Sequence, residues 1–394
     1  MKKTKLLLNI ALVALLFASC QTDDTADIII NSTTNNNGGV DPVSDFIEIG
    51  GTKTQDLVLE IGKDYVLTEA LIMTEGTTLT IPSGTVIKAN AGSDVYVAIV
   101  QGAKIIAEGT SSEPIVFTSN VATPNAGDWG GLILLGKAPI NSVSGGGSTS
   151  TSEIGGLPYG GSDVEDNSGI IRYVRVEYSG GAADASSENN GFSFYGVGSG
   201  TTVEYIQSFE GKDDGIEFFG GTVNASYISI IGAQDDSLDW TEGFSGTLSN
   251  IYIEHGVEHD KGIEADGFNT DIGNNSNPQF FSKPTISNVV ILGRGSANGN
   301  EAVRLRAGTQ GIFHNILIIG FEEGFDLDGD LGDSPTGNGV LTGDLHITDV
   351  SFNDVLLTYK NDTEIEFNEE DLLTGEGNGT GTDYAIWKSG WTRN

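Results

Sequence analysis

One unit of sequence is written repeatedly between residues 203 and 331, and it constrains the fold more than any other feature of the chain. GKDDGIEFFGG at 211–221 returns as AQDDSLDWTEG at 233–243, DKGIEADG at 260–267, NEAVRLRAG at 300–308 and EEGFDLDGD at 322–330. Between these units lie β-rich stretches: VNASYISIIG (223–232), LSNIYIEHG (248–256), ISNVVILG (286–293) and IFHNILIIG (312–320). Alignment puts Phe192, Ile216, Leu238, Ile263, Val303 and Phe325 in register, at steps of 24, 22, 25, 40 and 22 residues. Such self-similarity signals a stack of units, each burying its apolar face against the next.

The entry to this array, residues 46–120, consists of short β-rich runs such as TLTI, TVIKA and PIVFTS, separated by Gly, Ser, Thr or Asp. Several alternate apolar and polar residues as half-buried strands do. With 56 glycines, few prolines and no long amphipathic helix pattern, the chain reads as all-β, a β-solenoid domain over 46–394. At about 22–25 residues per repeat, roughly ten to thirteen coils are expected. Polar loops at 141–169, 181–190 and 267–284 are expected on one face, where ligands bind in repeat arrays. The pattern weakens over 332–382, and DYAIWKSGWT at 383–392 is expected to cap the last coil with Trp387 and Trp391.

GDWGGLILLGKAPIN (127–141), GGLPYGG (155–161), NSGIIRYVRVEYSG (167–180), GSGTTVEYIQ (198–207), DDGIEFFGGTVN (213–224), DDSLDW (235–240) and WKSGWT (387–392) resemble the running text of one family. That family is the right-handed parallel β-helix proteins of Bacteroidota, within the pectate-lyase-like superfamily. The resemblance covers roughly 79–392. It implies a single-stranded right-handed parallel β-helix and a place at the cell surface, and it names no reaction. Secreted relatives often carry a C-terminal sorting domain, which does not follow Asn394 in this sequence.

The first residues read as targeting rather than fold. Lys2, Lys3 and Lys5 precede an apolar run from Leu6 to Phe17, too short to span a membrane, and Phe17-Ala18-Ser19-Cys20 forms a small-residue cleavage site. The expectation is a lipoprotein signal peptide over 1–19, with Cys20, the one cysteine of the sequence, acylated. Several acyl chains, each CH₂ contributing ~0.8 kcal/mol on burial, would hold the protein at a membrane. Gln21-Thr22-Asp23-Asp24 resembles the acidic export signal of Bacteroidota surface lipoproteins, which implies the outer membrane with the protein facing outward. A polar, lipid-anchored tether fills 20–45. With 55 acidic against 19 basic residues the net charge is −36, which excludes nucleic acid as a natural partner.

Strand alternation assigns the chemistry. If Ile216 and Phe218 point inward, Glu217 points to solvent, and so do Ser193, Asp239, Glu264, Arg304 and Asp326. A second outward column runs Tyr195, Phe219, Thr241, Asp266, Arg306, Asp328. Glu217, Asp239 and Glu264 stack like charges with no intervening base, which raises their pKa values or recruits a cation. A Ca²⁺ site is therefore expected among Asp214, Glu217, Asp236, Asp239, Glu264, Asp326 and Asp328, since this ion takes oxygen donors in variable geometry. The alternative at these residues is a salt-bridge ladder with Arg304 and Arg306. Another is catalysis, with Glu217, Asp239, Glu264 and Arg304 serving a polysaccharide lyase or glycoside hydrolase. Asp-Gly-Ile is also common turn grammar in β-helices. Asn250, Asn288 and Asn315 read as a turn-stabilising ladder. DLDGDLGD at 326–333 lacks the glycine and the closing Glu of an EF-hand loop, and the four histidines form no zinc motif. Binding of a glycan, Ca²⁺ or a partner outer-membrane protein is the leading functional expectation. An enzyme on acidic polysaccharide and an adhesive surface protein are the alternatives.

Overall fold

The computed structural model describes residues 46–141, 149–183, 187–269, 278–329 and 336–394. The signal peptide, the tether and Cys20 lie outside the described residues. The remainder is a single-stranded right-handed parallel β-helix: a sheet of 22 strands winds through parallel pairings, and strands that follow one another in a coil belong to different faces. Among the described residues no helix is long and apolar enough to cross a membrane.

Each coil of the repeat region is built from a short strand and a longer bent one. The short strands Phe192–Tyr195, Ile216–Phe219, Leu238–Thr241 and Ile263–Asp266 stack in direct register. The longer strands Thr202–Phe209, Asn224–Ile231, Thr247–Glu254 and Thr285–Leu292 cover the other two faces and turn a corner midway. The corner residue takes a left-handed conformation in every case, with φ of 52° to 60° at Tyr173, Tyr205, Tyr227, Asn250, Asn288, Asn315 and Asp349. The expected asparagine ladder is thus the middle of a longer column, and Asn315 Nδ2 donates to Asn288 Oδ1 at 2.8 Å within it.

The inward column Phe192, Ile216, Leu238, Ile263, Val303 and Phe325 is fully buried. Phe194, Phe218 and Phe244 continue the packing as stacked rings, with centroids 5.0 and 4.5 Å apart. The glycine of the Asp-Asp-Gly unit is a packing requirement. A Cβ on Gly215 would lie 2.4 Å from Ile230 Cγ2 and 2.6 Å from the Ser237 carbonyl oxygen. The next coil admits Ser237 at the same place, so the position demands small residues rather than glycine alone.

One expectation about the C-terminal end is corrected. The helices Gly337–Thr342 and Glu369–Leu372, with Leu373 paired to Ile347, close the C-terminal end by burying Val340, Leu372 and Leu373. Trp387 and Trp391 do not cap the last coil. The segment 380–393 turns back and runs along the outside of the solenoid, over the corner column. Asn315 Oδ1 accepts from the Thr380 N–H at 2.7 Å, and Tyr384 stacks on Tyr252 at 3.8 Å. Trp387 meets Tyr227 edge-on, and Trp391 meets Tyr205 and Tyr173. Arg393 then donates to Glu177 Oε2 and the Tyr178 hydroxyl, both at 2.7 Å. The physical reason is that the tyrosine corner offers ring edges to bury against, whereas the terminal coil is already closed.

Candidate functional site

The outward column of the short-strand face runs through Ser193, Glu217, Asp239, Glu264, Arg304 and Asp326, each paired with the next, and reaches Lys360. Below Ser193 the same column is apolar, with Ile72, Ala98 and Ile133. That apolar section is roofed. The antiparallel hairpin Ser150–Thr151 with Pro158–Tyr159 lies over it, and Ile154 and Tyr159 join Ala98, Ile133, Leu135, Tyr195 and Phe219 in a second small core. Tyr159 meets Tyr195 at a tilt, with ring centroids 4.9 Å apart, and donates to Glu242 Oε2 at 2.6 Å.

The outward columns do not face solvent as expected. Glu264, Asp326, Asp266 and Asp328 are buried, and Glu217, Asp239 and Arg304 are only partly exposed. Tyr195, Phe219 and Thr241 of the second column are buried as well. Strand alternation gives the side of the strand correctly. It says nothing of what a loop forty or eighty residues away lays over that side.

Three carboxylates converge beside the roof. Asp214, Glu217 and Asp239 each offer an oxygen within 4.8 Å of the others. Asp214 comes from the turn entering its strand, and its Oδ1 accepts the Asp236 N–H at 3.0 Å. Glu217 Oε2 accepts from Asn190 Nδ2 at 2.6 Å. Asp239 Oδ1 is enclosed and accepts nothing. None of the ion pairs among the described residues reaches this trio. Two ionised carboxylates at this separation repel by about 3–4 kcal/mol at an effective dielectric of 20. Burial first, then the neighbouring carboxylates, raise Asp214, Glu217 and Asp239 well above the usual range. Asp213, half-buried beside Glu188 and Asp235, is pushed up to about 8, by desolvation first and then by those carboxylates.

The other candidates go elsewhere. Glu264 is held by Arg306 at 2.5 Å, with Lys261 at 3.9 Å, and Arg306 also binds Asp266 at 2.5 Å. Arg304 turns to Asp328 at 2.6 Å. Asp236 accepts the Lys261 N–H at 2.7 Å and lies in a separate group with Asp235 and Asp260. Asp326 lies with Glu301 and Glu323. The expected seven-residue cation set is therefore three local groups and a salt-bridge ladder, because Arg304 and Arg306 divide the column. The expected catalytic set is divided in the same way, leaving Glu217 with Asp239.

Sequence reasoning missed Glu301, Glu323, Glu188 and Asp260. Glu301 and Glu323 stand two residues before inward Val303 and Phe325, the place held by Asp214 and Asp236 in earlier coils, so the repeat register could have found them. His255 and His259 also meet, with ring centroids 4.5 Å apart, although the histidines form no zinc motif in sequence. Burial lowers His255 to about 4. A cleft of about 470 Å³ opens on a different side, between the tyrosine column and the C-terminal segment, lined by Tyr173, Tyr205, Tyr227, Asn250 and Trp387. The converging carboxylates are not in it.

Among solved structures, the catalytic domain of a GH87 α-1,3-glucanase in complex with tetrasaccharides is similar at 11% identity and a TM-score of 0.24, over 82% of this chain and 69% of that one. No curated protein matches in sequence. The family model for the pectate-lyase-like β-helix domain matches residues 51–392, almost all of the described solenoid, and the chain belongs to that family.

Proposed function

We propose that this protein is an outer-membrane surface lipoprotein, anchored through Cys20, whose β-helix binds an external acidic glycan through Ca²⁺ held by Asp214, Glu217 and Asp239. The observation that carries this reading is the convergence of three covered carboxylates within 4.8 Å with no basic side chain paired to them. An all-oxygen donor set without His or Cys favours a hard cation. Ca²⁺ takes six to eight oxygens, so three carboxylates leave positions for water and for ligand oxygens. A net charge of −36 repels a polyanion, and a bound divalent cation would offset that locally.

Calorimetric titration of Ca²⁺ into EDTA-stripped protein tests the reading. Asp239→Asn is expected to weaken binding about tenfold or more, a change of ~1.4 kcal/mol. Oligogalacturonate is expected to bind only with Ca²⁺ present. Ca²⁺ affinity equal in wild type and Asp239→Asn would overturn the reading.

A second reading is a polysaccharide lyase or glycoside hydrolase. It is favoured by the pairing of Glu217 with Asp239 on adjacent strands, with burial raising both carboxyls, since glycoside hydrolysis uses a pair of carboxyls, one of them as general acid. Release of reducing or unsaturated ends from acidic polysaccharides, abolished in Glu217→Gln, would support it. No release from such substrates would count against it.

A further inference from the structure

We propose a second cation site, independent of the first, built by Glu301, Glu323 and Asp326. It lies three rungs further along the short-strand face from Asp239, a distance of about 14 Å at the ordinary strand spacing. Glu301 and Glu323 are directly paired across adjacent strands, and Asp326 stands three residues beyond Glu323 on the same strand. One oxygen from each of the three lies within 4.8 Å of the others.

Proximity alone would not distinguish this trio from an ordinary acidic surface. The distinguishing observation is Asp326, which is 4% exposed and has no hydrogen bond or ion pair among the described residues; its Oδ1 is fully enclosed. Glu323 Oε2 is likewise enclosed without a partner. Leaving a buried acceptor unmade is costly, and more so for an ionised one. Two such oxygens at one place mark a position where something cationic belongs.

The nearby bases do not fill it. Arg304, the direct neighbour of Asp326 in register, turns away to Asp328 at 2.6 Å. Lys360, the neighbour on the other side, binds Asp362 at 2.9 Å and reaches Glu323 Oε1 only at 3.6 Å. Arg304 is committed elsewhere, and Lys360 is shared between Asp362 and Glu323 without reaching Asp326. The donors are again oxygens only, which selects a hard divalent ion, and three carboxylates from two adjacent strands suit Ca²⁺ better than the more heavily hydrated Mg²⁺. An ion here would clamp the strand Glu301–Arg306 to the strand Gly311–Leu327.

Calcium calorimetry on the EDTA-stripped mature protein tests this separately from the proposed function. Asp326→Asn is expected to lose one Ca²⁺ equivalent while keeping the site that Asp239→Asn weakens. Lys360→Ala takes away a competing ammonium from a half-exposed position and is expected to bind Ca²⁺ about tenfold more tightly at this site. Unchanged stoichiometry in Asp326→Asn overturns the site. If that variant does not fold, Lys360→Ala decides: tighter binding supports the site, and unchanged or weaker binding overturns it.

Discussion

At the scale of single residues, the protein keeps several carboxylates in a state that water would not allow. Asp213 at about 8, Asp266 at about 7 and Asp326 at about 6 all lie above the usual range because burial penalises their charge. For Asp266 and Asp326 that penalty exceeds the opposing pull of Arg306 and Lys360. A group whose pKa is raised on folding contributes its stability below the unfolded value, near 4 for Asp, and loses it as pH rises through the folded value. The cation-free protein is therefore expected to lose melting temperature between about pH 4 and about pH 8. Ca²⁺ should restore more stability at pH 8 than at pH 5, because it binds the deprotonated form. Melting curves in EDTA and in Ca²⁺ across that range would reveal it, and a flat profile in EDTA would contradict it. The corner tyrosines make a second point. Tyr205 occupies φ of 55°, which costs roughly 1–2 kcal/mol for an ordinary side chain, while Asn250 fills the same corner one side of Tyr227 away. The strain is offset by stacking on Tyr173 at 4.3 Å and Tyr227 at 4.2 Å. Tyr205→Asn relieves the strain and loses both stacks, each worth about 0.5–1.5 kcal/mol, together with ring burial. A net loss of about 1–3 kcal/mol in denaturant unfolding is expected.

At the scale of elements, the C-terminal segment behaves as a strap that ties distant coils together. Gln207 exchanges hydrogen bonds with the Arg393 backbone at 2.7 and 2.8 Å, and Tyr384 meets Ser229 at 2.9 Å. Trp391 is 0% exposed. Its ring nitrogen donates to the Trp387 carbonyl at 2.7 Å, and its own carbonyl accepts from Arg175 at 2.6 Å. Trp391→Ala is expected to cost about 3–5 kcal/mol, the usual range for deleting a buried large aromatic. Equilibrium unfolding in denaturant measures this, and a loss below about 1 kcal/mol would mean the strap is dispensable. The hairpin over the short-strand face is the second element that matters, because it covers the apolar section of the outward column and reaches Glu242 through Tyr159.

At the scale of the molecule, a solenoid is a line of nearest-neighbour contacts, and such arrays lose cooperativity when their coils can open independently. The strap counters this, since it binds coils from Asn315 back to Glu177 at once. Removing residues 380–394 should therefore broaden the unfolding transition as well as lower its midpoint. A transition equally sharp in the truncated protein would show that the coils couple without it.

The sequence by itself determined the repeat and its register, because parallel stacking forces the residue one coil away onto the same column. It therefore placed Phe192 through Phe325 inside, Glu217 and Asp239 side by side, and Asn250, Asn288 and Asn315 at one corner. Only the tertiary structure decided what covers those columns and which acid meets which base. Tyr159 reaches Glu242 across 83 residues, and Arg393 reaches Glu177 across 216. Contacts of that kind depend on where loops and tails fold back, which no local period encodes. The division of the acidic column by Arg304 and Arg306 belongs here too. Register makes the neighbours equivalent, and only side-chain packing sends Arg306 to Glu264 and Arg304 to Asp328, leaving Asp239 and Asp326 without an ion pair among the described residues.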